Sequence, residues 1–140
     1  GKTVTANNSF LIQLMTSLND CEVDRAMNLL RSFFSSIPYN AEKQDEDHYK
    51  TIFYLIFTLA SEYSVRTEQC SAAGRCDALI ETEDTIYVFE FKLYGTAEEA
   101  LKQIDDKGYA IQYEAGDKKI VKVGVNFEQD KRTIERWVVA

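Results

Sequence analysis

Two acids and a lysine are the residues here whose types and spacing could do chemistry. Twelve residues separate Asp77 from Glu90, and Lys92 follows Glu90 by two. The runs 75–81 and 85–92 are rich in β-branched and aromatic residues and read as strands joined at Glu83-Asp84. If those two residues form a two-residue hairpin loop, Thr82 pairs with Thr85 and Asp77 faces Glu90. Side chains alternate with a period of two, so Lys92 lies on the same sheet face as Glu90. A loop one residue longer shifts this register and separates the acids. Carboxylates directly opposite one another repel, so something must offset the pairing. In a structural role, Lys92 and Arg75 bridge the acids in an ion network. In a chemical role, the acids share a hard divalent cation such as Mg²⁺, which takes a few carboxylate oxygens and completes its shell with water. Lys92 then orients or helps deprotonate a metal-bound water, or stabilises charge developing on a phosphoryl oxygen. The residues by themselves leave both roles open.

Several elements must hold these strands in place. Leu11, Leu14, Met15 and Leu18 follow helical spacing, and Asn19 with Glu22 reads as a capping box that restarts the pattern at Val23, Ala26, Met27, Leu30, Phe33 and Ile37. Pro38, the single proline, breaks it. A third helix is expected from about 43–47 to about 61, with Tyr49, Ile52, Phe53, Ile56, Leu59 and Ala60 on its apolar side. Glu46 precedes Tyr49 by three and Phe53 by seven, which puts it on that inward stripe. An acid there is either a helix-start carboxylate favoured by the dipole or a ligand facing a site. Strands follow at 64–71, 75–81 and 85–92. Thr96 with Glu99 makes a second capping box, Ala97, Ala100, Leu101 and Ile104 form its buried stripe, and Gly108 fits the position just past the helix end. A short helical turn at 109–114 and strands at 120–127 and 133–139 complete the order ααα, βββ, α, ββ.

Composition narrows the function classes. A chain of 140 residues, 45% hydrophobic, suits one domain with one continuous core. Its apolar stretches fall well short of the ~20 residues that span a bilayer, and no leader opens it, so a soluble, cytoplasmic protein is expected. Gly1 in place of methionine reads as a cut from a longer protein. Three cysteines, Cys21, Cys70 and Cys76, match no zinc spacing, and His48 is the sole imidazole, so reduced thiols are expected and no serine or cysteine nucleophile has a base. The net charge of −7 and pI of 4.8 argue against a free-standing nucleic-acid binder. Positive charge is in excess from 118 to 140, where six basic residues meet three acids. Lys118, Lys119, Lys122, Lys131 and Arg132 are the candidate phosphate contacts.

The run Gly74-Arg75-Cys76-Asp77-Ala78-Leu79-Ile80, then Val88-Phe89-Glu90-Phe91-Lys92, then Ala97 to Ala100, Gln103-Ile104 and Lys107-Gly108-Tyr109 resembles the PD-(D/E)XK nuclease superfamily. The nearest likeness is to the domain at the C-terminus of bacterial AAA-ATPase-like proteins, and it covers about residues 38–140. Cys76 stands where the superfamily name has proline, which supplies no ligand. The resemblance implies an α/β fold with a restriction-endonuclease-like αβββαβ core, a mixed central sheet flanked by helices, and residues 1–37 as an N-terminal helical segment. It makes Asp77 and Glu90 metal ligands, with the Phe91 backbone carbonyl as a further one, and Lys92 the catalytic lysine. Glu46 matches the acid on the helix before the sheet. Gln103 resembles the glutamine that RecB-type members carry on the helix after the strand, and Tyr109 the accompanying tyrosine. The implied activity is Mg²⁺- or Mn²⁺-dependent phosphodiester hydrolysis, in DNA before RNA, with an ATPase domain of the same longer chain as partner and self-association left open. The rival is a catalytically silent nucleic-acid- or protein-binding module serving that ATPase.

Overall fold

The helices begin and end where backbone groups find partners, and one of those ends departs from expectation. A computed structural model describes residues 2–37, 46–60, 66–69, 77–128 and 130–140. Helix α1 (Lys2–Asn19) is followed by α2 (Val23–Ser36). The expected Asn19–Glu22 capping box is absent: Asn19 still belongs to α1, and Glu22 is itself the cap of α2, making no side-chain cap bond. The chain instead leaves α1 through Cys21, whose φ of 59° is left-handed. Its N–H donates to Leu18 O at 3.1 Å, and the N–H of Glu22 to Ser17 O at 2.8 Å, which together close a Schellman turn. Glycine usually fills that position, so the sequence carried no signal for it.

Helix α3 (Glu46–Leu59) buries Tyr49, Phe53, Ile56 and Phe57, and Ala60 just past its end is buried as well. The stripe these residues set leaves Leu59 66% exposed, contrary to its expected inward place. Strands β1 (Arg66–Gln69), β2 (Ala78–Glu81) and β3 (Thr85–Lys92) pair antiparallel in sequence order. Helix α4 (Ala97–Asp106) then crosses over to β4 (Lys119–Glu128), which lies parallel to β3, and β5 (Thr133–Val139) returns antiparallel. The result is a mixed five-stranded sheet in the order β1-β2-β3-β4-β5. The second capping box is present: Thr96 Oγ1 accepts from the Glu99 N–H at 3.0 Å. Gly108, at φ +64°, follows the helix end as expected. The turn at 109–114 contains a 3-10 helix over Ile111–Tyr113.

Both faces of the sheet are covered. Tyr87, Phe89 and Phe91 of β3, with Val121, Val123, Val125 and Phe127 of β4, pack with residues of α1, α2 and α3 in the larger core. Ile86 and Val88, with Leu79 of β2, pack on the other face against Ile104, Tyr109 and Ala110. A strand enclosed on both sides reads as a near-continuous apolar run, and β3 is buried from Thr85 through Phe91. Glu90 interrupts that run, so its burial needs a reason.

The N-terminal helices share the larger core and are fastened to it by polar groups. Tyr87 donates its hydroxyl to Leu18 O, Arg31 donates to the carbonyls of Ile134 and Glu135, and Trp137 Nε1 donates to Asp24. No helix among the described residues is long and apolar enough to cross a membrane.

One glycine fixes the seat of α4. Gly124 pairs with Glu90 across the β3–β4 ladder, and a Cβ there would lie 2.3 Å from Ala97 O and 2.6 Å from Leu101 N. Both obstacles are backbone, so even a methyl group must push the helix off the sheet, at a cost of about 1–3 kcal/mol. Asn126 secures the turn after β3 by donating to the carbonyls of Lys92 and Gly95. Together these contacts hold the end of β3 and the start of α4 in one place.

Candidate metal centre

The hairpin that joins β2 to β3 has the expected two-residue loop at Glu83-Asp84. Thr82 N–H donates to Thr85 O at 2.8 Å, and the ladder pairs Ala78 with Phe89 and Glu81 with Ile86. Two local features let Glu-Asp serve where Asn-Gly is commoner. Thr82 Oγ1 bonds the Thr85 N–H and carbonyl, and Lys118 Nζ bridges Glu81 Oε2 and Thr82 O, each at 2.7 Å. The regular ladder ends at Ala78–Phe89, and just beyond it the side chains of Asp77 and Glu90 meet.

Asp77 lies just before β2 and extends the ladder with its side chain. Its own N–H donates to Phe89 O, while its Oδ2 accepts the Phe91 N–H at 2.8 Å, standing where a strand carbonyl would otherwise stand. Oδ1 lies 3.1 Å from Lys50 Nζ, which arrives from α3. Asp77 is 8% exposed and Glu90 3%. Burial pushes the Glu90 carboxyl up to about 9, aided by its hydrogen bond to Asp77 and by the negative charge there, while Lys50 and Lys107 oppose the shift. At neutral pH Glu90 therefore keeps its proton, with Asp77 as a hydrogen-bond partner. Glu90 Oε2 is buried with no hydrogen-bond partner among the described residues. Leaving such an oxygen unpaired costs about 1–3 kcal/mol, so the arrangement is one that stability by itself does not favour.

Lys92 ends β3 half-buried on the Glu90 face, its stem packed beside Gly95. Among the described residues the cation in contact with Asp77 is Lys50, which the sequence does not single out, and Arg75 falls outside the described residues, as do Cys70 and Cys76. Position 50 is four residues after Glu46, one turn along the same helix face, and that spacing was the available signal. Glu46 is the first residue of α3, and its side chain lies outside the described residues. Gln103 is half-buried on α4, in the layer covering the Glu90 face, and Tyr109 follows in the smaller core with Lys107 Nζ over its ring. Among the described residues no three His, Cys, Asp or Glu side chains cluster as a ready metal cage. The donors on hand are two carboxyls and strand backbone, a hard oxygen set of the kind Mg²⁺ or Mn²⁺ accepts with water filling the rest.

Three of the five candidate phosphate contacts form ion pairs within the chain, and Arg136 beside them does too. Lys118 pairs with Glu81, Lys122 with Asp105 at 2.6 Å and Lys131 with Glu135 at 3.1 Å, while Arg136 bonds Glu98.

Comparison with known proteins bears on the family. Residues 44–137 match the family model of the PD-(D/E)XK nuclease superfamily. An uncharacterized protein in the vnfD 5′ region of Azotobacter chroococcum mcd 1 is 36% identical over 118 residues, which cover 79% of this chain and 23% of that protein. This chain therefore spans about a quarter of the relative's length. No solved structure matches. With the mixed sheet, its flanking helices and the matched segment all in agreement, the chain is an α/β protein of restriction-endonuclease-like fold and belongs to the PD-(D/E)XK nuclease superfamily.

Proposed function

We propose that this chain hydrolyses phosphodiester bonds in nucleic acid, DNA before RNA, using Mg²⁺ or Mn²⁺ held by Asp77 and Glu90. The observation that carries this reading is the buried Asp77–Glu90 pair, with one oxygen left without a partner. A hard divalent cation would offset the repulsion that arises when Glu90 ionises and would also satisfy the unpaired oxygen. When bound, such an ion supplies a Lewis acid and an activated water. Asp77 is held for this task by the Phe91 N–H, and Glu90 enters it by giving up its proton. The N–H and C=O of one strand residue point to the same neighbouring strand, which makes the Phe91 carbonyl a third donor on the Asp77 side. Lys92 presents its ammonium on the Glu90 face, where it orients the attacking water or stabilises charge on the phosphoryl oxygens. Glu46 at the start of α3 and Gln103 on α4 complete the proposed set.

The likeness to the domain at the C-terminus of bacterial AAA-ATPase-like proteins suggests a role as the C-terminal module of an ATPase-containing protein, and a relative about four times as long as the matched part is in keeping with a larger protein. A P-loop GxxxxGK[ST] in the same reading frame checks that placement.

A panel of end-labelled single- and double-stranded DNA and RNA, incubated with Mg²⁺, Mn²⁺ or EDTA, tests the activity. Divalent-dependent fragments are expected, faster from DNA, with weak binding that falls steeply as salt rises because little free positive charge surrounds the site. The paired state of Lys118, Lys122, Lys131 and Arg136 favours the second reading, a silent module that binds a protein partner. Absence of cleavage across the panel in both metals selects that reading.

A further inference from the structure

Lys50 lies outside the residues that the superfamily pattern assigns, yet among the described residues it is the cation in contact with Asp77. Its side chain is 23% exposed and comes from α3, a helix that packs on the sheet face opposite the one carrying Glu90. The two Asp77 oxygens are held in different ways. Oδ2 takes a backbone N–H fixed in the central strand, whereas Oδ1 takes an ammonium on a flexible four-carbon stem. Of the two partners, the ammonium can leave without moving a strand. A divalent ion held by Asp77 and Glu90 would stand close to that ammonium, and like charges in a partly buried site repel.

We infer that in the metal-free protein the Lys50 ammonium occupies the place at Asp77 Oδ1 that a divalent cation takes in the loaded protein, so that lysine and metal compete for one oxygen. The inference rests on the metal-site reading given above. It makes Lys50 a positioning residue: it keeps the Asp77 carboxylate aimed while the site waits, and it sets the metal concentration at which the site fills. A purely structural ion pair behaves differently, because Lys50 then stays on Asp77 throughout and its loss loosens a ligand.

Calorimetric titration of Mn²⁺ into the wild-type chain, Lys50→Met and Lys50→Arg separates these cases. Methionine keeps much of the stem without the charge, and Lys50→Met is expected to bind Mn²⁺ at least about tenfold more tightly than wild type, the repulsion having gone. Lys50→Arg keeps the charge and is expected to bind no more tightly than wild type. Unchanged or weaker binding by Lys50→Met overturns the inference while leaving the metal site standing, whereas a wild type that binds no Mn²⁺ overturns both. Should Lys50→Met fail to fold, amine-reactive labelling of the wild type, read by mass spectrometry, gives the same decision. Lys50 is expected to be protected in EDTA and to label severalfold faster in saturating Mn²⁺, and labelling that ignores Mn²⁺ overturns the inference.

Discussion

Lys92→Met is expected to lower cleavage at least about a hundredfold, the usual range for loss of a group that acts on a transferred proton or developing charge, while the fold and Mn²⁺ affinity stay near wild type. The side chain lies half-exposed at the end of β3, so its loss opens no cavity in either core. It is proposed as a partner of the water or phosphoryl group and not as a ligand, so metal binding is expected to survive. Lys92→Arg is expected to fail as well, since a planar guanidinium cannot take the place of a compact ammonium. Initial rates on one labelled DNA, with melting curves and Mn²⁺ titrations on the same preparations, check all three statements. Cleavage by Lys92→Met at the wild-type rate contradicts the assignment of Lys92.

Glu90→Gln is expected to stabilise the metal-free protein increasingly as pH rises. In the folded chain Glu90 titrates near 9 against an ordinary value of 4.5. Between those values the folded state holds a proton that the unfolded chain has released, so stability falls with rising pH by up to about 1.4 kcal/mol per unit. Below the window no cost is present, and above it the whole cost is. Glutamine has no proton to lose and escapes the penalty. In EDTA at pH 8 the mutant is therefore expected to melt at least about 5 °C above wild type, with the difference shrinking toward pH 5. Mn²⁺ acts in the other direction: at ~100 times its dissociation constant it adds about 2.7 kcal/mol to the protein that binds it and little to the mutant, narrowing or reversing the gap. Asp77 is a poorer place for this test, because removing its charge strands Lys50. If Glu90 were an ionised member of a salt network, Glu90→Gln would melt below wild type at every pH in the window.

The features legible in the sequence were those fixed by neighbours along the chain. The period-two pattern of 85–92 and a loop between Thr82 and Thr85 sufficed to give the hairpin register as far as Ala78 and Phe89, next to the point where Asp77 and Glu90 meet, because hairpin register is set locally. The Thr96–Glu99 cap and Gly108 mark both ends of α4 for the same reason. What escaped depends on distant packing. Cys21 takes a left-handed turn with no glycine to announce it. Lys50 reaches Asp77 from a helix on the other side of the sheet, and Gly124 is required because α4 comes to rest on it. The basic residues after 118 looked available for phosphates until the fold brought Glu81 to Lys118 and Asp105 to Lys122.

The central claim, that Asp77 and Glu90 hold a catalytic divalent ion, is tested most directly by diffraction from crystals grown with Mn²⁺ and measured at the manganese absorption edge. An anomalous peak in contact with carboxylate oxygens of both Asp77 and Glu90 is the predicted result. A peak that touches neither acid, or no peak at Mn²⁺ concentrations that support cleavage, would contradict it.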